Sequence, residues 1–201
     1  SNVPKQFLCF KGTPILMHTI KKFDFFDSIV LVLPNSEFDN WKALCHKYKF
    51  NLPHTLVEGG STRIESVQNG LKNITENVIV AIHDGVRPLI SKQLIDRLLA
   101  EVHSNIGAIP VIPVKDSLRK VTNNNSISID RTNIFHVQTP QCFMSEEIKS
   151  AYKNITINQN FTDDASIFEY NSGKIRTVLG EENNIKITTQ KDLLIANHIS
   201  I

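Results

Sequence analysis

The chain of 201 residues is 41% hydrophobic and 21% charged, a composition typical of one soluble globular domain rather than a disordered or membrane-spanning chain. Its formal net charge of +2 does not indicate a broad surface for nucleic acid, and its apolar runs are too short to span a bilayer. Cys9, Cys45 and Cys142 are odd in number and widely spaced, which argues against a disulfide scaffold or a zinc site and indicates a reducing cytoplasm.

The first half of the chain alternates between helical and strand patterns. Helices are predicted to open at Thr13-Pro14, near Ser36 and after Thr62, where Thr62 and Glu65 have the spacing of a capping box. Strands are predicted at 28–33, 55–57 and 78–82. Because helices separate these strands and the strands lack apolar–polar alternation, the pattern predicts a doubly wound α/β fold with a mainly parallel sheet.

The second half begins with a helix predicted from Ser91 and a strand at 107–113, whose two prolines argue against a central strand that is paired along its whole length. Residues 117–121 and 126–130 flank an Asn-rich turn and resemble a hairpin, which is marginal on its own. We therefore predict a single domain over 1–201 with a β-arm at about 115–137 that leans on the domain or on a second subunit. The remaining predictions are helices at 145–153, 163–171 and from 190, and strands at 175–179 and 185–188.

The predicted strand at 78–82 is followed directly by His83, Asp84, Gly85 and Arg87. In open α/β sheets, ligands bind beyond the carboxyl ends of strands. Gly85 allows close approach of the backbone, and the proline that follows Arg87 restricts where its side chain can point. A surface Asp–Arg pair at an ordinary turn explains the motif equally well, so both interpretations stay open at this point. His83 is interpreted as structural rather than as a metal ligand or base.

Three further segments offer the same choice between a site and ordinary structure. Gly59 and Gly60 precede a helix N-terminus, where free N–H groups favour anions, although an ordinary capped helix is the simpler interpretation. In 183–188, Ile185 and Ile187 are predicted to be buried on one face, with Lys186 on the other. Thr162 is predicted to cap the helix at 163–171, and the acids at 163 and 164 either complement its dipole or bind metal.

Short motifs follow one another in an order that is specific as a set, although each motif is weak alone. They are VPKQF (3–7), GGSTRIESVQNGL (59–71), HDGVRP (83–88), PVKDS (113–117), IDR (129–131), QTPQCF (138–143), FTDDAS (161–166) and NNIKIT (183–188). Taken together, the motifs resemble the 2-C-methyl-D-erythritol 4-phosphate cytidylyltransferase family over essentially the whole chain.

The resemblance implies a Rossmann-like nucleotidyltransferase that transfers CMP from CTP to a polyol phosphate, 2-C-methyl-D-erythritol 4-phosphate, and releases pyrophosphate. It also implies Mg²⁺ as cofactor and a homodimer formed through the arm. The acceptor phosphate would attack the α-phosphorus of CTP in line, so the enzyme positions the reactants and stabilises charge. No covalent intermediate is needed, which agrees with the lack of a nucleophile motif in the sequence.

The resemblance carries roles onto residues within the motifs. Lys5 would neutralise the triphosphate and the transition state, and Lys186 would hold the attacking phosphate. Arg131 would reach the neighbouring subunit's site, where its planar fork suits phosphate. Asp84 would bind Mg²⁺ or a substrate hydroxyl, roles that the sequence does not separate. The implied nucleotide-binding residues are Lys5, Gly59, Gly60, Ser66, Asp84 and Gly85, and the implied substrate-binding residues are Asp84, Arg87, Ser117, Arg131, Thr162 and Lys186.

The sequence departs from the family pattern in three places. Enzymes of the family open with a strand and a glycine-rich loop that wraps the triphosphate. We expect such a segment to precede Ser1 in the whole protein, because without that strand a sheet edge would be exposed. Ser117 stands where threonine is commoner and keeps the hydroxyl, and Gly85 stands where alanine is usual.

Two rival functions stay open from the sequence. Ribitol 5-phosphate cytidylyltransferase would share the CTP half of the site, although the motifs at 129–131 and 161–166 favour the methylerythritol enzyme. A non-catalytic nucleotide-binding or dimeric scaffold is favoured only if the gene lacks the glycine-rich loop. An NAD-binding enzyme is disfavoured because no Gly-x-Gly-x-x-Gly follows a predicted strand.

Overall fold

The computed structural model describes residues 3–123, 125–155 and 161–199. The strands are β1 (Cys9–Phe10), β2 (Thr13–Pro14), β3 (Val30–Leu33), β4 (Thr55–Glu58), β5 (Ile79–Ile82), β6 (Ile106–Pro113), β7 (Leu118–Thr122), β8 (Asn125–Ile129), β9 (Phe135–Val137), β10 (Gln141–Met144) and β11 (Lys174–Leu179). The helices are α1 (Ile15–Lys21), α2 (Phe38–Lys47), α3 (Arg63–Leu71), α4 (Lys92–Ala100), α5 (Ser145–Asn154), α6 (Asp164–Tyr170) and α7 (Gln190–His198), with 3-10 turns at Lys5–Phe7 and Asn35–Glu37.

The central sheet has the strand order β11-β6-β10-β5, and β9 pairs with β6 further along its edge. Strands β5, β6 and β11 run in one direction, because β11 is parallel to β6 and both β5 and β6 are antiparallel to the intervening β10. Strands β3 and β4 form a separate parallel pair. The predicted α/β class with mainly parallel strand directions is confirmed. The inserted strand β10 was not predicted.

Helices cover both faces of the central sheet, as a doubly wound fold requires. Alternate residues of β10 enter opposite cores: Phe143 packs in the cluster with α5 and α6, whereas Cys142 packs in the cluster with α4. The same alternation separates Ile109 from Ala108 on β6. Side-chain direction along these strands therefore fixes which helices can dock on each face.

The proline-containing strand β6 lies in the interior of the sheet, but its pairing is broken on one edge. It pairs with β11 from Ile106 to Val111. On its other edge it meets β10 at Ala108 and β9 only from Val111 onward. Between these, Pro110 has no N–H to offer, and its carbonyl accepts a hydrogen bond of 2.8 Å from Gln138 N. The prediction that this strand would not be paired along its whole length is confirmed, although the strand is central.

The predicted hairpin is present as β7 and β8, which pair only with each other among the described strands. The opposed pairs Leu118–Ile129 and Lys120–Ile127 place three apolar side chains on one face of the hairpin. Ile127 is 64% exposed. Strand β9 falls inside the predicted bounds of the arm, but it pairs with β6 of the central sheet, so the free hairpin ends before β9.

Three local predictions are corrected. Residues 185–188 form no strand: among their backbone groups, Ile187 N donates to Val86 O (2.9 Å), and no strand of the described residues forms a ladder with them. Of the two isoleucines predicted to be buried, Ile187 is buried and Ile185 is only half-buried. The cap of α6 is Asp163 rather than Thr162, because the Asp163 carboxylate accepts from Ser166 N. Thr62 caps α3, but the Glu65 carboxylate accepts from Ser61 instead of completing a capping box.

Within the described residues, no helix has the length and apolar character needed to cross a membrane.

Candidate active site

A carboxylate and two cations meet at the carboxyl end of β5. The Asp84 carboxylate accepts from Arg87 Nε at 2.9 Å and lies 3.2 Å from Lys186 Nζ, with both cations on Oδ2. The turn itself is closed by Arg87 N, which donates to Asp84 O. The ligand-site interpretation of this motif therefore gains a third charged residue from a distant part of the chain. A simple surface pair does not account for that residue.

The electrostatic balance favours an ionised Asp84. Burial alone would raise the pKa of this carboxyl, but the hydrogen bond from Arg87 and the charge of Lys186 outweigh burial and lower the pKa. The Asp84 side chain is only 17% exposed. The cluster therefore presents one fixed negative charge that holds two positive charges in place.

His83 orients the backbone beneath this cluster. Its Nε2 lies 3.2 Å from Arg87 O, and its Nδ1 lies 3.0 Å from Thr139 Oγ1, which also accepts from Asp84 N at 3.1 Å. A neutral ring protonated at Nε2 satisfies all three contacts, because the Thr139 hydroxyl can then donate to Nδ1. Burial, including contact with the Phe23 ring, lowers the pKa of His83 to about 4. Both nitrogens are engaged within the fold, which agrees with the structural interpretation of His83.

The glycine loop before α3 forms a compact turn. Gly60 N donates to Ser66 Oγ (3.1 Å), and Ser66 Oγ donates to Thr62 O (2.8 Å). A Cβ on Gly60 would lie 2.2 Å from the Glu65 Cβ, so no other residue fits without rearrangement. The structure thus brings Gly59, Gly60 and Ser66 together as one loop at the start of a helix.

An ion pair joins this loop to the segment that carries Thr162. Arg63 donates from Nη1 and Nη2 to the two oxygens of Asp164, at 2.9 and 2.6 Å. Tyr152 Oη also donates to Asp164 Oδ1, at 2.5 Å. Asp164 is fully buried, and its carboxylate raises the pKa of Arg63 despite the opposing effect of burial. Asp164 therefore serves as a structural partner of Arg63, and neither of its oxygens is left for a metal.

Among the described residues, no hydrogen bond or ion pair links Lys5, Thr162, Ser117 or Arg131 to the Asp84 cluster. Lys5 is exposed in its 3-10 turn, and Thr162 is exposed just before the cap of α6. Ser117 and Arg131 are exposed, and both flank the open end of the hairpin, where Leu118 pairs with Ile129. Gly85 lies in the turn, where its carbonyl accepts from Thr19 Oγ1 (2.9 Å) and an added Cβ would lie 3.0 Å from Leu16. Alanine at this position would require only a small shift of the flexible Leu16 side chain.

Sequence reasoning missed Arg63, Thr139 and Asn184. The Asn184 carbonyl accepts from Arg87 Nη1 (2.8 Å), and its side-chain Nδ2 donates to Thr139 O (2.9 Å). All three residues lie inside motifs that the sequence had already singled out. Within those motifs the only signal was the polar character of the three residues, which is too common to interpret without coordinates.

Asp84 was also predicted to bind metal. Across the described ranges, no three or more His, Cys, Asp or Glu side chains gather into a metal-binding group. Asp84 Oδ2 is engaged by two cations, and no hydrogen bond to Oδ1 is found among the described residues. One carboxylate oxygen fits Mg²⁺ only where substrate phosphates supply most of the other ligands, which is a common arrangement for this ion.

An α/β sheet with a charged cluster and a glycine loop at helix and strand ends defines the class: a nucleotide-binding α/β protein of the doubly wound type. Comparison with solved structures narrows this class further. The chain superposes on the 2-C-methyl-D-erythritol 4-phosphate cytidylyltransferase from Thermus thermophilus with a TM-score of 0.85 and 28% identity, covering 96% of this chain and 92% of that one.

Sequence comparison identifies the family. The profile described as 2-C-methyl-D-erythritol 4-phosphate cytidylyltransferase matches residues 1–200. The enzyme of that name from Azobacteroides pseudotrichonymphae genomovar. CFP2 is 46% identical over 202 residues, covering 98% of this chain and 90% of the relative. The one from Porphyromonas gingivalis W83 is 43% identical over 197 residues, covering 96% and 87%. The chain belongs to the 2-C-methyl-D-erythritol 4-phosphate cytidylyltransferase family, as the motifs predicted.

Proposed function

We propose that the protein transfers CMP from CTP to 2-C-methyl-D-erythritol 4-phosphate and releases pyrophosphate, a step in the formation of isoprenoid precursors. Membership of the family over residues 1–200 supports the reaction. The observation that carries the proposal is the Asp84–Arg87–Lys186 cluster at the carboxyl end of β5. It offers an acceptor phosphate two cations whose positions are fixed before the substrate arrives.

The acceptor half of the reaction follows from this cluster. Lys186 is held at its ammonium group by Asp84, yet its side chain is 47% exposed, so a phosphate can reach it from solvent. Arg87 is anchored by Nε and Nη1, which fixes the plane of its guanidinium group. Cations held in place cost little reorganisation when charge develops on the attacking and leaving oxygens. The cluster thus positions the acceptor phosphate for in-line attack on the α-phosphorus of CTP.

The nucleotide half is assigned to the glycine loop and to Lys5. The compact 59–60 turn leads into the N-terminus of α3, whose helix dipole favours an anion, and this supports close approach of a nucleotide to the loop. Lys5 is exposed and can neutralise the triphosphate. Thr162 and Ser117 are proposed to contact the polyol, and Gly85 to contact the cytidine through its backbone.

Mg²⁺ is proposed to enter with the phosphates of CTP, with Asp84 Oδ1 as the protein's ligand. A hard cation with oxygen ligands suits a single carboxylate when phosphates complete the shell. When bound, the ion would neutralise phosphate charge. Asp84 would then hold the ion through one oxygen and Lys186 and Arg87 through the other.

The active form is proposed to be a homodimer that joins through the β7–β8 hairpin. Leu118, Ile127 and Ile129 form an apolar face that a lone hairpin would leave in water, and such faces usually mark interaction surfaces. Arg131 follows this hairpin and is exposed. A partner that covers the hairpin could therefore receive Arg131 at its own acceptor site.

The free thiols of Cys9, Cys45 and Cys142 support the proposed cytoplasmic location, where thiols stay reduced.

The test is pyrophosphate release by the whole protein with CTP and Mg²⁺, measured with 2-C-methyl-D-erythritol 4-phosphate, with ribitol 5-phosphate and with no acceptor. We expect release that depends on the methylerythritol acceptor. Preference for ribitol 5-phosphate would contradict the proposed acceptor but keep the reaction type. If neither acceptor leads to release of pyrophosphate, the enzyme proposal is contradicted and the scaffold alternative is favoured.

A further inference from the structure

Two buried amide side chains, Gln138 and Asn184, lie behind the Asp84–Arg87–Lys186 cluster, and neither has been assigned a contact with CTP or with the acceptor. We propose that Gln138 and Asn184 are positioning residues that hold Lys186 and Arg87 around the acceptor phosphate. This inference rests on the proposed function and deepens it, because it names the residues that fix the geometry of the acceptor site.

Gln138 ties the loop before Lys186 to the central sheet. Its Nε2 donates to Glu181 O at 2.8 Å, and its Oε1 accepts from Glu181 N at 3.2 Å, so one amide satisfies both backbone groups of one residue. Gln138 is itself anchored because its N donates to Pro110 O of β6. Residue 181 is therefore fixed relative to the sheet by the amide of Gln138.

Asn184 makes the second link, two residues before Lys186. Its Nδ2 donates to Thr139 O at 2.9 Å, and its carbonyl accepts from Arg87 Nη1 at 2.8 Å. One residue thus joins the loop that carries Lys186 to the turn that carries Arg87. The relative placement of the two cations depends on this residue as well as on Asp84.

The amide of Asn184 has one permitted orientation. Its Nδ2 lies between two acceptors, Thr139 O and Gln138 Oε1, so exchanging the nitrogen and oxygen would face oxygen against oxygen. In this orientation Asn184 Oδ1 is buried without a hydrogen-bond partner among the described residues. The unpaired oxygen costs stability, and the Nδ2 hydrogen bonds offset that cost while they fix the loop that carries Lys186, which is the role that we assign to this asparagine.

The structure also separates this pair from the nucleotide loop. Among the described residues, the hydrogen bonds of the Gln138 and Asn184 side chains go to Thr139, Glu181 and each other, and none reaches the loop at 59–66. Displacement of the 181–186 segment should therefore weaken use of the acceptor much more than use of CTP, to which the segment is linked only through Asp84. A general loss of folding would not produce that difference.

The experiment compares Asn184→Ala and Gln138→Asn with wild type and with Gln68→Ala. Gln68 provides a matched control because its Nε2 donates to a backbone carbonyl, Tyr152 O (2.9 Å), away from the acceptor cluster. Gln138→Asn keeps an amide but shortens the side chain, so it is the milder change. Initial rates of pyrophosphate release are measured against acceptor at saturating CTP, and against CTP at saturating acceptor.

We expect both variants to raise the KM for the acceptor about tenfold or more, with the KM for CTP within about threefold of wild type, because small misplacements of binding groups weaken productive binding strongly. Gln68→Ala should change neither KM beyond about threefold. An unchanged acceptor KM in both variants, or an equal rise of both KM values, would overturn the proposal.

The folding of the variants also tests the proposal. If Asn184→Ala does not fold, the acceptor KM of Gln138→Asn provides the test. If neither variant folds, Gln138 and Asn184 have a purely structural role. A wild-type protein that releases no pyrophosphate with the acceptor would contradict the proposed function and this inference with it. Wild-type turnover with unchanged acceptor KM in the variants would contradict the positioning role alone.

Discussion

The ammonium group of Lys186 lies 3.2 Å from the Asp84 carboxylate, which joins the segment before α7 to the end of β5. The lysine side chain is 47% exposed and the carboxylate 17%, so the cation faces solvent and the anion lies behind it. An incoming phosphate therefore meets the lysine before the carboxylate. This arrangement is what a site for an anionic acceptor requires.

Replacing Lys186 with methionine should lower kcat/KM for the acceptor by about 10²–10³-fold, since it removes a charge aimed at the reacting phosphate. Stability should change by at most about 1 kcal/mol, because an ion pair with a half-exposed partner contributes little. Lys191→Met, on the exposed side of α7, is the matched control. Rates and urea midpoints are measured for both. Equal rates in the two variants would place the acceptor elsewhere.

Arg87→Lys should lower acceptor turnover by roughly tenfold or more while keeping the charge. Lysine cannot bind Asp84 and the Asn184 carbonyl together in one plane, as the guanidinium group does. Arg97→Lys is the control, because Arg97 also donates to a carbonyl, Leu179 O, but on the exposed surface. Steady-state rates against acceptor concentration check this expectation, and wild-type rates for Arg87→Lys would refute it.

Acid should destabilise the fold through His83. Its folded pKa of about 4 lies below the ordinary 6.5, so between these values the unfolded chain binds more protons and stability falls as pH decreases. The loss should reach up to about 3 kcal/mol by pH 4. His83→Asn should remove this part of the slope. Urea unfolding without divalent ions, from pH 7 to 4, makes the comparison, and parallel curves for the two proteins would contradict it.

Asp84 does not obscure that measurement. Because its folded pKa is lowered, the stability that it contributes is present above the unfolded carboxyl pKa of 3.8 and is lost as pH falls through the folded value. Its effect begins at about pH 5 and grows below about pH 4, so it overlaps only the acid end of the His83 window, and both proteins share it.

Ile127→Glu should convert the proposed dimer to a monomer, because it puts a charge on the apolar face of the hairpin. Ser128→Glu is the control, since Ser128 pairs with Arg119 on the opposite face. Sedimentation velocity measures the oligomeric state of the wild type and of both variants. A protein that is already monomeric in the wild type, or a dimer that survives Ile127→Glu, would contradict the proposed interface.

Mixing Arg131→Ala with Lys186→Met protomers should restore activity if Arg131 acts in the neighbouring subunit. Half of the randomly mixed dimers would hold one variant of each kind, and each such dimer would have one intact site, which gives about a quarter of wild-type activity. The parent variants alone provide the baseline. Activity that stays at that baseline after subunit exchange would show that Arg131 acts within its own chain.

The sequence was sufficient for the fold class, because helix and strand patterns are local. The place of Asp84 and Lys186 in one site came from the family resemblance, because residues so far apart in the chain share no local pattern. Strand β10 could not be predicted, because Gln141–Met144 is short and follows a proline. The cap at Asp163 and the missing ladder at 185–188 depend on which neighbours are within reach, and only tertiary structure decides that.

The break in pairing beside Pro110 has a consequence for insertions and deletions. The register of β10 against β6 is offset by two residues from that of β9, so the chain between Val137 and Gln141 holds two residues more than continuous pairing needs. An even offset keeps side-chain direction, whereas gaining or losing one residue here would exchange the sides that Cys142 and Phe143 occupy. Insertion or deletion of two residues in this segment should therefore be tolerated better than insertion or deletion of one.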